Sequence, residues 1–323
     1  MITCELNTNR IMELINPINK RFPDNLNISY ITTKDCLCDS CLIFVKEVSN
    51  EFLDNIRRFK DIVLITEDSL EDYELHFQVK NTRLAMAKIF SLIKPEPISN
   101  SNNKSFISNK SFISETAVIE PFVFIDDGVH IGANCLIKSG SRIYRNTIIG
   151  NNVIVRENSV VGGQGFGVEK DENGNNFKIY HFGGVVIGDN VEIGALNTIV
   201  SGTINPTIIS DYTKIDDHVH IAHNCKIGRN CIITAGVILS GSVEVGDNCW
   251  IGPNTSVKNS LKISSQTFIG IGSVVTNDID KHGVTIAGNP AKEFRKFIDE
   301  KKKLEYFIDN FDKLKKIINE EIL

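Results

Sequence analysis

From residue 119 onwards, aliphatic side chains recur every six positions. Ile119, Ile125, Ile131, Ile137, Ile143, Ile149, Val155 and Val161 follow one another at that spacing without a miss. A second run holds it through Ile215, Ile221, Ile227, Ile233, Leu239, Val245, Ile251, Val257, Ile263, Ile269 and Val275. Neither the 3.6-residue period of a helix nor the two-residue period of a simple strand produces this pattern. Glycine often follows the aliphatic residue, as at Ile131-Gly132, Ile227-Gly228 and Ile251-Gly252. Such hexads specify a left-handed parallel β-helix, in which each hexad is a short strand plus a turn and the stacked coils bury one aliphatic column.

Two interruptions break the register. Residues 162–186 form a polar, Gly-rich excursion, and Ile199 is separated from Ile209 by ten residues around Asn205-Pro206. Insertions in a solenoid map to loops on one face, often the binding face. The second break resets the phase just ahead of a histidine-rich segment.

The flanks differ in character. Runs at 41–45 and 61–65 read as strands and 82–93 as a helix, which makes 1–98 an α/β unit ending in a Ser/Asn-rich boundary. The β-helix is expected over 99–290 and an amphipathic C-terminal helix over 291–323. The apolar stripe of that helix runs through Phe294, Phe297, Ile298, Leu304, Phe307, Ile308, Phe311, Leu314, Ile317 and Ile318, and needs a partner, either the β-helix or its counterparts in an oligomer. A net charge of −5 over 323 residues argues against nucleic-acid binding. The N-terminus lacks a signal-peptide pattern and no stretch is long and apolar enough for a membrane span, so a cytoplasmic protein is expected. The eight cysteines are then reduced thiols. Cys135, Cys225, Cys231 and Cys249 share one slot of the repeat as small core residues, and Cys36, Cys38 and Cys41 offer too few ligands for a tetrahedral metal site.

Three of the seven histidines lie in His218-Val219-His220-Ile221-Ala222-His223. They fall at different hexad positions, so their side chains need not converge on a metal, and no metal is expected. An imidazole titrates in the range a general base needs, and an amine acceptor must lose a proton to attack a thioester. With about 18 residues per coil, His223 stacks beside Gly241. A glycine there either serves a tight turn or leaves its N–H free for an oxyanion. Asp216 or Asp217 is the candidate to orient the ring through its second nitrogen. Gly288, Asn289 and Pro290 precede Lys292, Arg295 and Lys296, either a turn with a solvated helix face or a clamp for the phosphates of an acyl donor.

These features resemble the UDP-3-O-acylglucosamine N-acyltransferases of lipid A synthesis. The likeness is carried by the Gly163–Gly167 segment GQGFG, by Val186–Ala195, by His220-Ile221-Ala222-His223-Asn224 and by Val79–Ala85. It implies His223 as base and Gly241 as oxyanion-hole amide. It also implies acceptor contacts at Asn81, Gly165 and Phe166, nucleobase stacking on Tyr30, a homotrimer, and no cofactor beyond the acyl donor. The GNPAK ending resembles that of coenzyme A-dependent sugar acetyltransferases. The expectation is therefore N-acyl transfer from acyl-CoA to a dTDP- or UDP-linked amino-deoxysugar of a surface glycan. The alternatives are the lipid A reaction with an acyl carrier protein donor, a carbonic anhydrase-like metalloenzyme, and a non-enzymatic scaffold.

Overall fold

The computed structural model describes residues 2–21, 25–93, 104–170, 173–311, 313 and 315. The chain divides into two compact units, 1–96 and 97–323. The expected 98/99 boundary and the stripe residues Leu314, Ile317 and Ile318 lie outside the described residues.

The first unit is α/β. Its elements run β1 (Ile2–Asn7), α1 (Thr8–Ile15), β2 (Asn19–Arg21), β3 (Asn27–Thr32), β4 (Cys41–Phe44), α2 (Asn50–Ile56), β5 (Val63–Thr66), β6 (His76–Gln78) and α3 (Thr82–Leu92). The sheet order is β1-β3-β4-β5-β6-β2, with β3 to β6 parallel and both edge strands antiparallel. Strand alternation sends Ile31, Leu42, Val63 and Ile65 to one buried cluster and Ile43 and Leu64 to the other, so both faces of the sheet are covered.

The second unit is the left-handed parallel β-helix that the hexads specify. Three sheets of nine, eight and ten strands form its faces, here called the first, second and third. Two-residue strands pair in parallel with those one coil on: Ile221 with Leu239, Ile227 with Val245, Ile233 with Ile251. The corners between faces require positive φ, and Asn134, Asn152, Asn190, Asn224, Asn248 and Ser242 supply it between 55° and 61°. Asparagine tolerates this region best among residues with a side chain. The aliphatic column is dry, with Ile125, Ile137, Ile193, Ile221, Ile233 and Ile251 fully buried. The slot holding the core cysteines also has a polar function. Cys225 Sγ donates to the Ser240 carbonyl, Cys231 to that of Gly246 and Cys249 to that of Ser264, each 15 residues on, just as Ser141 and Thr213 hydroxyls do at their coils. Burial pushes the Cys225 thiol up to about 11, which keeps it protonated.

Both register breaks fall at one corner. Val161 pairs with Ile199 and Ile199 with Ile221, so the insertions of 20 and 4 residues beyond the 18-residue step sit between the first and second faces. On the next coil the same corner carries His223. Beyond the last coil, Ala291–Glu293 turns back antiparallel onto Thr285–Gly288, and the helix α4 spans Phe294–Asp309. The expected helix start at 291 is thus corrected: these residues extend a sheet by a hairpin turned at Asn289-Pro290, and Phe297 packs on Gly288. No described helix is long and apolar enough to cross a membrane.

Ile251 is fully buried between coils. Its truncation to alanine leaves a cavity the stacked backbone cannot close, and a loss of about 2–5 kcal/mol is expected, measurable as a lowered denaturant midpoint.

Candidate active site

His223 lies half-buried at the corner between the strands His220–Ile221 and Lys226–Ile227, with its main-chain carbonyl accepting from Ser242 N–H at 2.8 Å. The coil step puts its ring directly on Gly241. A Cβ at Gly241 would stand 2.6 Å from Cε1 and 2.8 Å from Nε2, closer than any side chain allows, so only glycine fits beneath the ring. The Gly241 N–H meets no protein acceptor among the described residues. An imidazole beside an available main-chain N–H can move a proton and stabilise an oxyanion at one carbon.

The group at Nδ1 is an amide. Asn224 Nδ2 lies 3.1 Å from it, and Asn224 Oδ1 accepts the Thr203 main-chain N–H at 2.7 Å. Thr203 belongs to the second register break, which therefore buttresses the histidine. This corrects the assignment of Asp216 or Asp217 as the orienting acid. Both stand at the preceding corner of the coil. Asp217 Oδ1 accepts from Arg156 at 3.0 Å and from Ala195 N–H at 2.7 Å, while Asp216 accepts the Asp217 N–H.

The residue that sequence reasoning missed is His181. It ends the 162–186 excursion, whose strands Gly167–Lys170 and Asn176–Ile179 form a hairpin. Gln164 grips its main chain with both ends of its amide: Nε2 donates to the His181 carbonyl at 2.7 Å, and Oε1 accepts its N–H at 2.9 Å. A Cβ at Gly165 would lie 2.6 Å from His181 Nε2 and one at Gly167 would lie 3.0 Å from Cε1, so the GQGFG glycines make room for this ring. His181 is 3% exposed, and its ring tilts over His223 with centroids 5.0 Å apart. Phe166, by contrast, is 90% exposed on the same loop. Burial and then the neighbouring His223 push His181 below the ordinary histidine range, against the opposing influence of the Ile179 carbonyl. His220 is lowered by the same two causes in the same order. Among the described residues no three His, Cys, Asp or Glu side chains are placed to hold a metal.

The remaining candidates are dispersed. Tyr30 does not line the main cleft of the first unit. It packs on the cluster of Cys41, Ile43, Leu53 and Ile56, because strand alternation turns it to the face opposite Ile31. The cleft in that unit, about 570 Å³, opens at the carboxyl ends of β3 and β4 and is lined by Ile31, Thr33, Lys34, Phe44, Lys46 and Phe90. Phe44 and Phe90 meet edge to face at 5.9 Å. They are the aromatic side chains that line this cleft. Asn81 caps α3, its Oδ1 accepting from Leu84 N–H at 3.0 Å. At the end of the β-helix, Gly288 ends its strand, Asn289 forms the hairpin turn with Pro290, and Lys292 is paired with Glu300, while Arg295 and Lys296 are exposed.

The fold and repeat are similar to those of the bacterial hexapeptide transferases. The family described as bacterial transferase hexapeptide (six repeats) matches residues 128–163 and 206–241, the second stretch ending on Gly241. The chain is also similar to UDP-3-O-acylglucosamine N-acyltransferases. The protein of that name from Campylobacter jejuni (strain RM1221) is 50% identical over 121 residues, 38% of this chain and 38% of the relative. UDP-3-O-acylglucosamine N-acyltransferase 1 of Sulfurimonas denitrificans is 36% identical over 136 residues, covering 42% and 43%. The similarity thus spans about two fifths of the length of these relatives. Among solved structures, UDP-N-acetylglucosamine acyltransferase from Campylobacter jejuni superposes with a TM-score of 0.53 at 30% identity, over 59% of this chain and 72% of that one.

His181 and His220 hold protons less tightly in the folded chain than in the unfolded one. As pH falls through about 6.5, the unfolded chain takes up more protons and stability drops. The melting temperature should therefore fall between about pH 7.5 and about pH 5.5, and fall less in a His181→Gln, His220→Gln variant. An identical slope in that variant would assign the effect elsewhere.

Proposed function

We propose that this protein transfers an acyl group from a thioester to the amine of a nucleotide-linked amino sugar. The observation that carries the reading is the His223 ring lying against Gly241, whose N–H is open. As nitrogen attacks the thioester carbon, His223 takes a proton from it, the Gly241 amide receives the oxyanion, and the carbon–sulfur bond breaks to release the thiol. The names of the similar proteins favour a UDP-linked 3-O-acylglucosamine as acceptor over the dTDP- or UDP-linked amino-deoxysugar of a surface glycan. The cleft lined by Phe44 and Phe90 offers an aromatic surface for the nucleobase. A homotrimer accords with the exposed Leu304 and Phe307 of α4 and Phe311 just beyond it.

General-base catalysis contributes about 10²–10⁴-fold, so His223→Ala should lower turnover by that order with little change in either Michaelis constant. A screen by mass spectrometry of UDP- and dTDP-linked amino sugars tests the acceptor. Wild-type turnover in His223→Ala would refute the site, and acylation of a dTDP-sugar alone would refute the acceptor.

The donor is read as acyl-CoA, on the basic segment after Gly288. With Lys292 engaged by Glu300, Arg295 and Lys296 are the groups left to meet its phosphates. Arg295→Ala, Lys296→Ala should raise the Michaelis constant for acyl-CoA severalfold and flatten its dependence on salt. Unchanged kinetics with acyl-CoA, or activity only with acyl carrier protein, would exclude this donor.

A further inference from the structure

Asn224 is held more firmly than the histidine it touches. It occupies a corner with φ of 60°, and its main-chain N–H donates to Thr207 Oγ1 at 2.9 Å. Its side-chain oxygen accepts the Thr203 main-chain N–H at 2.7 Å. A main-chain N–H can only donate, so turning the amide over would set two donors against each other. The amide nitrogen is thereby fixed between Thr203 Oγ1 at 3.2 Å and His223 Nδ1 at 3.1 Å. That nitrogen also can only donate. Nδ1 of the neutral ring must then be the acceptor, and the single ring proton resides on Nε2.

We propose that Asn224 is a positioning residue that holds resting His223 as the Nε2–H tautomer, so that the ring's one lone pair is at Nδ1. The inference rests on the reading of His223 as the proton-handling group of an acyl transfer. In this tautomer the ring is both base and acid. The amine displaces the Asn224 N–H from Nδ1, while Asn224 keeps both of its contacts with Thr203. The carbon–nitrogen bond forms and the amine proton passes to Nδ1. The Nε2 proton, on the ring nitrogen nearer Gly241, goes to the sulfur as the carbon–sulfur bond breaks. The ring leaves the cycle protonated at Nδ1 and returns to its resting form by proton exchange with water. The titratable groups facing it are His181 from the inserted loop and His220 from its own coil, while Asp217 is occupied by Arg156 at the preceding corner.

Long-range proton–nitrogen spectra of the full chain labelled with ¹⁵N-histidine, at about pH 8 where imidazoles are neutral, read the tautomer directly. His223 is assigned by the loss of its signals in His223→Gln. The expected result is a bare Nδ1 and a protonated Nε2, and a bare Nε2 would overturn the proposal. Asn224→Asp retains an acceptor for Thr203 N–H but presents a second acceptor to Nδ1. It should invert the spectrum and lower turnover by on the order of tenfold or more. An inverted spectrum with wild-type turnover would overturn the assigned roles of the two nitrogens. Because the wild-type spectrum needs no substrate, a failed tautomer assignment is distinguishable from a failed acyltransferase reading, which the His223→Ala kinetics judge separately.

Discussion

The main-chain hydrogen bonds that tie each coil to the next determine where everything else in the larger unit can be. His220 N–H reaches the Val237 carbonyl and Ile238 N–H that of Thr255, both at 2.9 Å, and the pattern repeats along the axis. Such bonds satisfy the backbone of strands only two residues long, which could not form alone. They also make residues 18 apart as closely coupled as cross-strand neighbours. The His223–Gly241 contact is therefore a property of the stack, set before any side chain chooses a rotamer.

Inserted residues are tolerated at a corner because the aliphatic column does not pass through it. Val161, Ile199 and Ile221 remain paired across insertions of different length, and all three stay fully buried. The excess chain is pushed outward, where it is tied back by its own polar groups. Phe182 N–H bonds the Thr203 carbonyl at 2.9 Å, and Thr203 N–H in turn bonds Asn224. The two insertions thus form successive rungs of a ladder that ends on His223.

How much of this could be foreseen depended on periodicity. The hexads placed the β-helix, its interruptions and the 223–241 pair, because a fixed coil length converts sequence distance into spatial distance. His181 sits inside the interruption, where no period operates, and the only local trace of its ring is the pair of glycines Gly165 and Gly167. The orienting aspartates failed for a related reason. Asp216 and Asp217 are close to His223 in sequence, but one hexad of separation carries them to another corner, whereas Asn224 is adjacent and Thr203 arrives from the previous coil. In the first unit, the place of Tyr30 in its segment does not reveal which side of the sheet it faces, because the alternation of β3 decides that, and it depends on register fixed by β1 and β4.

The composition of the corner sets the proton chemistry it can perform. A carboxylate at Nδ1 would favour a charged imidazole and store a proton there between turnovers. The neutral Asn224 amide adds no negative charge, and the buried His181 ring is itself biased toward neutrality. In the proposed reaction, a cation formed on His223 gains nothing from either neighbour, so the proton has reason to leave again. Relaying it to a departing sulfur within the same collapse relieves that charge, whereas a resting ion pair would retain it. Three imidazoles gathered without a carboxylate partner at Nδ1 are thus better suited to passing a proton through the site than to holding one.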